Sequence, residues 1–232
     1  MSPAAGRAAV VSTPGGHAAQ IKSRQRVRDL AEVYTHEREV NAMLDLVLDM
    51  FPSADAPGNH DRRFLEPACG SGNFLEAIMR RKLATVTSQR YGRGQRFEFR
   101  VMRCLTSTYG IDIDTENVEP ARRRLHDVVE WHLHSQLNTR EASTGFYAAV
   151  EHVLSTNIVR ANTLTDGRTL MLVEYQPSRG NTFIRRWSPL EEPEPAPVDL
   201  FSIDKEPEED AVPVHYSLLA DNPRPVRAEV PA

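Results

Sequence analysis

The residues best suited to chemistry stand in one short run, Phe64-Leu65-Glu66-Pro67-Ala68-Cys69-Gly70-Ser71-Gly72-Asn73-Phe74-Leu75. An apolar strand ends on a carboxylate, a turn of small residues follows, and helical periodicity resumes at Phe74, Leu75, Ile78 and Met79. Gly70 and Gly72 permit turn conformations and let a ligand come within contact of the main chain. The start of the next helix offers free N–H groups to a carboxylate, and Glu66 offers its own carboxylate to an ammonium group. Gly-rich turns of this kind also occur in many α/β proteins without a ligand. A second acid, Asp112, ends the run Tyr109-Gly110-Ile111-Asp112-Ile113. In dinucleotide-binding folds an acid there accepts hydrogen bonds from ribose hydroxyls, and Ile111 and Ile113 would flank an adenine ring. Read alone, Asp112 also fits a surface acid, the weaker of the two readings. The gap from Glu66 to Asp112 exceeds the roughly 20 residues of the NAD fingerprint, which removes support for that cofactor.

Strands and helices must alternate for such a turn to form. Val40, Met43, Leu44, Val47 and Leu48 recur at three- and four-residue spacing, one apolar helix face that ends near Phe51-Pro52. A loop with Pro57, Gly58 and Asn59 then leads into a short strand at Arg63 to Glu66. Phe97, Val101, Met102 and Leu105 predict a helix running into the Asp112 strand, and another begins near Asn117 with Val118, Ala121, Leu125 and Val128. Phe146, Val150, Val153 and Leu154 predict a third, ahead of the brief strand Asn157 to Arg160. The alternation predicts an α/β fold, a parallel sheet with right-handed crossovers and flanking helices. Leu170 to Tyr175 and Thr182 to Trp187, joined by Gln176 to Asn181, predict a C-terminal β-hairpin, which is the expected cover for any exposed strand edge.

Residues 1–22 are rich in Ala, Gly, Ser, Thr and Pro without periodicity and are expected to form a disordered leader. Residues 23–188 hold the folded domain. Residues 189–232 are expected to be a disordered acidic, Pro-rich tail, with apolar islands at Val198 to Ile203 and Val212 to Leu219 that leave room for one docking segment. The net charge of −4 conceals eleven acids against three basic residues in that tail, so residues 1–188 carry a balance of +4. That excess permits contact with a polyanion without requiring it. Arg90, Arg93, Arg96, Arg100 and Arg103 read first as a solvated helix face and second as a run that tracks phosphates. Cys69 and Cys104 stand outside any CxxC or Cys/His spacing, and His132 and His134 lack carboxylate or cysteine partners, so reduced thiols and no metal are expected. No run of about 18 apolar residues and no compact N-terminal apolar stretch occurs, which predicts a cytoplasmic protein with no membrane partner.

Taken whole, Phe64 to Leu75 resembles the first motif of S-adenosylmethionine-dependent N6-adenine DNA methyltransferases, with Glu66 where an aspartate is more usual. The resemblance covers about residues 25 to 190 and is strongest at 64 to 75 and 109 to 118. It implies a Rossmann-like methyltransferase fold with a partly complete parallel sheet, S-adenosyl-L-methionine as cofactor, and DNA as partner. The cofactor's methionine part would then lie against Glu66, Pro67, Ala68, Gly70, Gly72 and Phe74, and its adenosine against Asp112 and Ile113. Upstream, Ala31-Glu32-Val33-Tyr34-Thr35 resembles the family segment in which Tyr34 and Thr35 would close over the methionine end; read alone, it is a packing tyrosine beside an N-cap threonine. Downstream, Asn157 to Leu164 resembles the third motif. Asn162 stands there in place of the acid that usually bonds the adenine amino group, and its amide oxygen accepts the same bond without charge assistance.

The pattern breaks after that. The family carries an Asn or Asp, two prolines and an aromatic residue to hold a flipped base, and this chain has no such tetrapeptide. Gln176-Pro177-Ser178-Arg179 comes nearest, and Glu174, Tyr175, Phe183 and Trp187 read chiefly as hairpin packing. The chain thus resembles short, methylase-like subunits of restriction–modification systems. Three functions follow: an active adenine methyltransferase, a catalytically inactive cofactor-binding subunit completed by a partner chain, or a methyltransferase with an acceptor other than DNA.

Overall fold

The computed structural model describes residues 35–139, 141–191 and 208–226. The chain divides into two compact units, Met1–His36 and Glu37–Ala232. The expected leader and Tyr34 lie outside the described residues, and Thr35, half-buried, belongs to the first unit. The second unit is a mixed α/β assembly with a three-stranded parallel sheet and flanking helices.

Three short strands, β1 (Phe64–Glu66), β2 (Thr108–Asp112) and β3 (Ile158–Arg160), pair in the order β1-β2-β3. Glu66 stands opposite Gly110 and Asp112 opposite Arg160. Side chains alternate along a strand, so Thr108, Gly110 and Asp112 face one way and Tyr109 and Ile111 the other. On the Gly110 face lies α2 (Asn73–Leu83), so close that a Cβ at Gly110 would stand 2.6 Å from Cδ1 of Leu75. Beside α2, α5 (Thr115–Leu137) covers β2 and β3. On its other side α1 (Glu37–Asp45) packs through Val40 and Leu44 into a small cluster with Phe51, Ile78 and Phe64. On the Tyr109 face, the Tyr109 hydroxyl donates to the Val173 carbonyl at 2.8 Å, which docks the second sheet.

At the lower end of the parallel sheet, Lys82 is fully buried and donates to the carbonyls of Arg62 (2.7 Å) and Ser107 (2.9 Å) and to the Ser107 hydroxyl (2.7 Å). These three acceptors replace water around the ammonium, while burial lowers its pKa to about 8. Nearby His60 is buried, its Nε2 3.0 Å from Thr85 Oγ1, and burial together with the charge of Arg103 lowers its pKa to about 4. A group depressed from 6.5 contributes stability that is present above pH 6.5 and lost as pH falls through 4. His60 should therefore cost the native state on the order of 3 kcal/mol between pH 6.5 and 4. Urea midpoints of wild type and His60→Gln at pH 7 and 4.5 check this, since the variant should lose markedly less on acidification; equal losses would remove His60 from the account.

The hairpin exists, but its geometry differs from the expectation. β4 (Met171–Ser178) and β5 (Thr182–Pro189) pair over eight residues each, so Gln176, Pro177 and Ser178 belong to the strand and the turn is only Arg179-Gly180-Asn181. Gly180 and Asn181 both have positive φ, 76° and 59°, as a tight connection demands. Pro177 is tolerated because β4 is an edge strand of the second sheet. Among the described residues that sheet does not extend the parallel one, so the hairpin does not pair with the β1 edge. The edge is instead blunted by the shortness of β1, by Arg62 and Arg63 before it and by Pro67 after it.

Within the tail, residues 208–226 are ordered, and they include the apolar island Val212 to Leu219 that left room for a docking segment. β6 (Glu208–Glu209) and β7 (Val214–His215) both pair with β5, and α6 (Phe146–Asn157) packs against the turn that follows them. Val214, Tyr216 and Leu219 enter the main core with Phe146, Phe183 and Phe99 of α4 (Gln95–Thr106). The Tyr216 hydroxyl donates to the buried carboxylate of Glu98. Arg185 and Asp210 form an ion pair with both side chains fully buried, Nε to Oδ2 at 2.8 Å and Nη2 to Oδ1 at 2.9 Å. The Arg185 guanidinium also donates to the carbonyls of Asn222 and Arg224. Acidity and proline content hid a few well-spaced anchors, and one of the acids is neutralised inside the core.

Candidate functional site

The carboxyl ends of the three strands bring the sequence-predicted residues together. Glu66 ends β1, and its half-buried carboxylate folds back to accept the Ala68 N–H at 3.3 Å. Burial raises its pKa above the usual glutamate value. The turn that follows is held from below: the Cys69 N–H donates to the Ile111 carbonyl at 2.8 Å and the Gly72 N–H to the Cys69 carbonyl at 2.9 Å. Cys69 fills the space under the turn as a small apolar group, its thiol pushed up to about 12 by burial and by the charges of Asp112 and Glu66.

The glycines have different tasks. Gly70 has φ +53°, and a Cβ there would meet nothing within 4 Å, so the space above the turn is open. Gly72 has φ +90°, and its Cβ would stand 3.1 Å from Cα and Cβ of Ala121, so it permits the close approach of α5. Gly72 also occupies the N-cap of α2 with no side-chain cap, which leaves first-turn amides without an intrahelical acceptor. Gly110 is a further glycine requirement that sequence reasoning missed; a strand glycine as a sign of close approach was the available signal.

Asp112 is 8% exposed and organises the turn. Its Oδ2 accepts the Gly70 N–H at 2.8 Å, and its Oδ1 accepts the Asp114 N–H at 2.8 Å and the Asn117 side-chain amide at 3.3 Å. A carboxylate has about four lone-pair sites, so Oδ2 keeps capacity for one more donor from the crevice. Ile113, next to it, is exposed, and its carbonyl accepts from Arg160 Nε at 3.2 Å.

The loop after β3 closes the third side. The Ala161 N–H donates to the Asp112 carbonyl at 3.0 Å, and the Thr163 hydroxyl donates to the Pro67 carbonyl at 2.7 Å. Asn162 therefore sits between two residues tied to the β1 and β2 ends. Its Oδ1 accepts the Leu164 N–H at 3.0 Å and its own N–H donates to Asp166 Oδ2 at 2.8 Å. Thr163 and Asp166 thus position this loop; neither stood out in the sequence, though an acid four residues after Asn162 is a turn signature.

Pro67 and Ala68 are exposed on the turn, as a ligand contact requires. Phe74, half-buried, packs against the cluster of Val40 and Leu44 and so supports α2. The hairpin residues are occupied elsewhere: Glu174 pairs with Arg63, the Tyr175 hydroxyl lies 3.0 Å from Thr156 Oγ1, Phe183 is buried, and Arg185 stacks on Trp187 at 5.0 Å. Of the basic run, Arg103 pairs with Asp61, Arg93 donates to the Leu137 carbonyl at 3.4 Å, and Arg90 and Arg100 lie against the Tyr91 ring, so four of the five guanidinium groups serve the fold.

His126, Asp127 and Glu130 of α5 are one group among the described residues whose donor atoms come within 4.8 Å of one another; Asp127 is exposed, and His126 and Glu130 are half-buried. Among the described residues no helix is long and apolar enough to cross a membrane.

Two acids, a glycine turn and uncapped helix amides therefore converge at the end of a parallel sheet, which suits a ligand carrying an ammonium, a carboxylate and hydroxyl groups. Comparison with known protein families, with curated proteins and with solved structures finds no match.

Proposed function

We propose that the crevice at Glu66, Gly70 and Asp112 binds S-adenosyl-L-methionine within a Rossmann-like methyltransferase fold. The chain is then the cofactor-holding part of an adenine-specific DNA methyltransferase, the modification subunit of a restriction–modification system. One observation carries this reading: Asp112 grips the glycine turn at Gly70 while keeping an acceptor site towards the crevice, beside a second, partly desolvated acid. Glu66 takes the ammonium, the first-turn amides of α2 take the carboxylate, and Asp112 takes a ribose hydroxyl. Asn162 offers the remaining lone pair of its amide oxygen to the adenine amino group.

Once bound, the cofactor supplies an electrophilic methyl group. Transfer to adenine N6 is an in-line displacement that needs the acceptor nitrogen held opposite the departing sulfur, and the nitrogen loses a proton as the new bond forms. No residue of this chain is assigned to that proton. A second reading, in which the chain holds the cofactor and a partner holds the base, is favoured by one feature: Gln176-Pro177-Ser178 lies inside an antiparallel strand, not beyond the end of a parallel one.

Calorimetric titration of the full chain with S-adenosylmethionine tests the proposal. Saturable one-to-one binding is expected, and Gly70→Val should abolish it, because a side chain there enters the open space above the turn. Its left-handed backbone should cost the fold only about 1–2 kcal/mol. No binding by the wild-type chain would overturn the reading. Where binding holds, transfer of labelled methyl to duplex DNA by the chain alone separates the first reading from the second.

A further inference from the structure

A groove of about 520 Å3 runs between α2 and α5. Glu76 and Arg80 line it from α2, and Arg123, Arg124, Asp127 and Trp131 from α5. Arg123, Asp127 and Trp131 stand at i, i+4 and i+8, one turn apart on a single helix face. Counted from Thr115, where α5 starts just after Asp112, Arg123 lies roughly 12 Å and Trp131 roughly 24 Å along the helix. The groove is therefore separate from the crevice at the strand ends.

Its guanidinium groups are held ready for an anion. Both carboxylate oxygens of Glu76 are engaged, Oε1 by Arg80 at 2.9 Å and Oε2 by Arg124 at 2.7 Å. A guanidinium carries five N–H donors, so Arg80 and Arg124 are fixed in place and keep donors for a ligand. Arg123 is exposed and has no ion pair or hydrogen bond among the described residues. The other acid, Asp127, is 69% exposed and lies 4.0 Å from His126 Nδ1. Three guanidinium groups thus face two carboxylates, one of them already neutralised. Beside them the Trp131 indole is 60% exposed, although tryptophan is highly buried on average. The Arg80 guanidinium stands 5.6 Å from its centroid, close to the outer limit of about 6 Å for a cation–π contact, so the ring keeps room for a stacking partner.

We propose that this groove binds single-stranded nucleic acid, with phosphates on Arg80, Arg123 and Arg124 and a base stacked on Trp131. Arginines interleaved with an exposed aromatic ring match a polymer in which phosphates alternate with flat bases. A small molecule fits less well, because its sites bury about 70–90% of the ligand and this groove leaves its largest apolar side chain mostly open. A duplex shows only base edges in its grooves and leaves the indole unused. An acidic peptide engages the arginines alone. The inference goes beyond the methyltransferase reading and does not depend on which ligand fills the crevice.

Fluorescence anisotropy of a labelled oligothymidylate of about twelve nucleotides, titrated with the full chain, tests it. Saturable binding is expected, with log affinity falling against log KCl at a slope of about −2, from three phosphate contacts at about 0.7 each. Trp131→Ala should weaken binding about 5- to 150-fold, the range for one lost stacked base, and Trp131→Phe should keep most of it. Arg123→Ala should flatten the salt slope by about 0.7, whereas Arg186→Ala, exposed on β5, should change neither quantity. Four outcomes would overturn the proposal: no saturable binding, equal affinity for a duplex of the same length, displacement by poly-glutamate as effective as by unlabelled strand, or Trp131→Ala and Arg123→Ala behaving like Arg186→Ala. Calorimetry of Trp131→Ala with S-adenosylmethionine should match wild type, so failure here and failure of the cofactor proposal are read separately.

Discussion

Replacing Asp210 with alanine is expected to destabilise the protein by about 3–5 kcal/mol, the cost of leaving a buried charge without its partner. Arg185 has no exposed surface to which its guanidinium could turn. Asp210 also accepts two backbone amides, from Arg185 and Val226, at 2.9 and 2.8 Å, so the substitution strips more than one charge-assisted bond. At 2–4 °C per kcal/mol for a domain of this size, the midpoint of thermal unfolding should fall by roughly 6–20 °C. Arg186→Ala, on the exposed face of the same strand, should stay within about 0.5 kcal/mol of wild type. Hydrogen exchange at Val214 to Leu219 then reports whether the tail alone lets go or the whole domain melts. A loss under 1 kcal/mol for Asp210→Ala would mean that the pair contributes little beyond its packing.

The second large effect concerns Asp112. Asp112→Ala should weaken S-adenosylmethionine binding about 100-fold, since roughly 2.7 kcal/mol, within the range for a hydrogen bond to a charged group, corresponds to two decades. The loss has two parts: the acceptor offered to the ribose, and the grip on the Gly70 N–H that shapes the turn. Asp112→Asn keeps one acceptor oxygen but aims an amide group at a backbone donor, so an intermediate loss is expected. Calorimetry on the three proteins measures it, and unchanged affinity in Asp112→Ala would remove this residue from the site.

Much of the parallel part was legible from residues alone. Apolar spacing located α2, α5 and α6, and the acid–glycine–glycine run located the turn, because local chemistry there agrees with the tertiary arrangement. Three features were not legible, for physical reasons. Gln176-Pro177-Ser178 carries turn residues yet lies in a strand, since an edge strand needs no donor from Pro177. Phe74 follows the glycine turn directly and was placed at the ligand, and its packing against the cluster of Val40 and Leu44, far earlier in the chain, was not foreseen. The segment 208–226 offers a local reading only the apolar island Val212 to Leu219. Its order comes from Tyr216, Val214 and Leu219 and from Asp210, whose charge is cancelled by an arginine twenty-five positions earlier. Such long-range neutralisation leaves no mark in a local window.

The late position of those anchors has a consequence for how the protein is made. A nascent chain emerges N-terminal end first, and the three parallel strands, all complete by Arg160, can assemble while the rest is still being synthesised. Until Tyr216 and Asp210 have left the ribosome, Glu98 lacks the Tyr216 hydroxyl and holds only the Ser143 N–H, and Arg185 lacks its native acceptors. Until then two charged groups and the apolar floor beneath them stay in contact with water. A transcript cut short before codon 210 would thus yield a chain with a finished sheet and an unfinished core, the kind of molecule that cellular quality control retains or degrades.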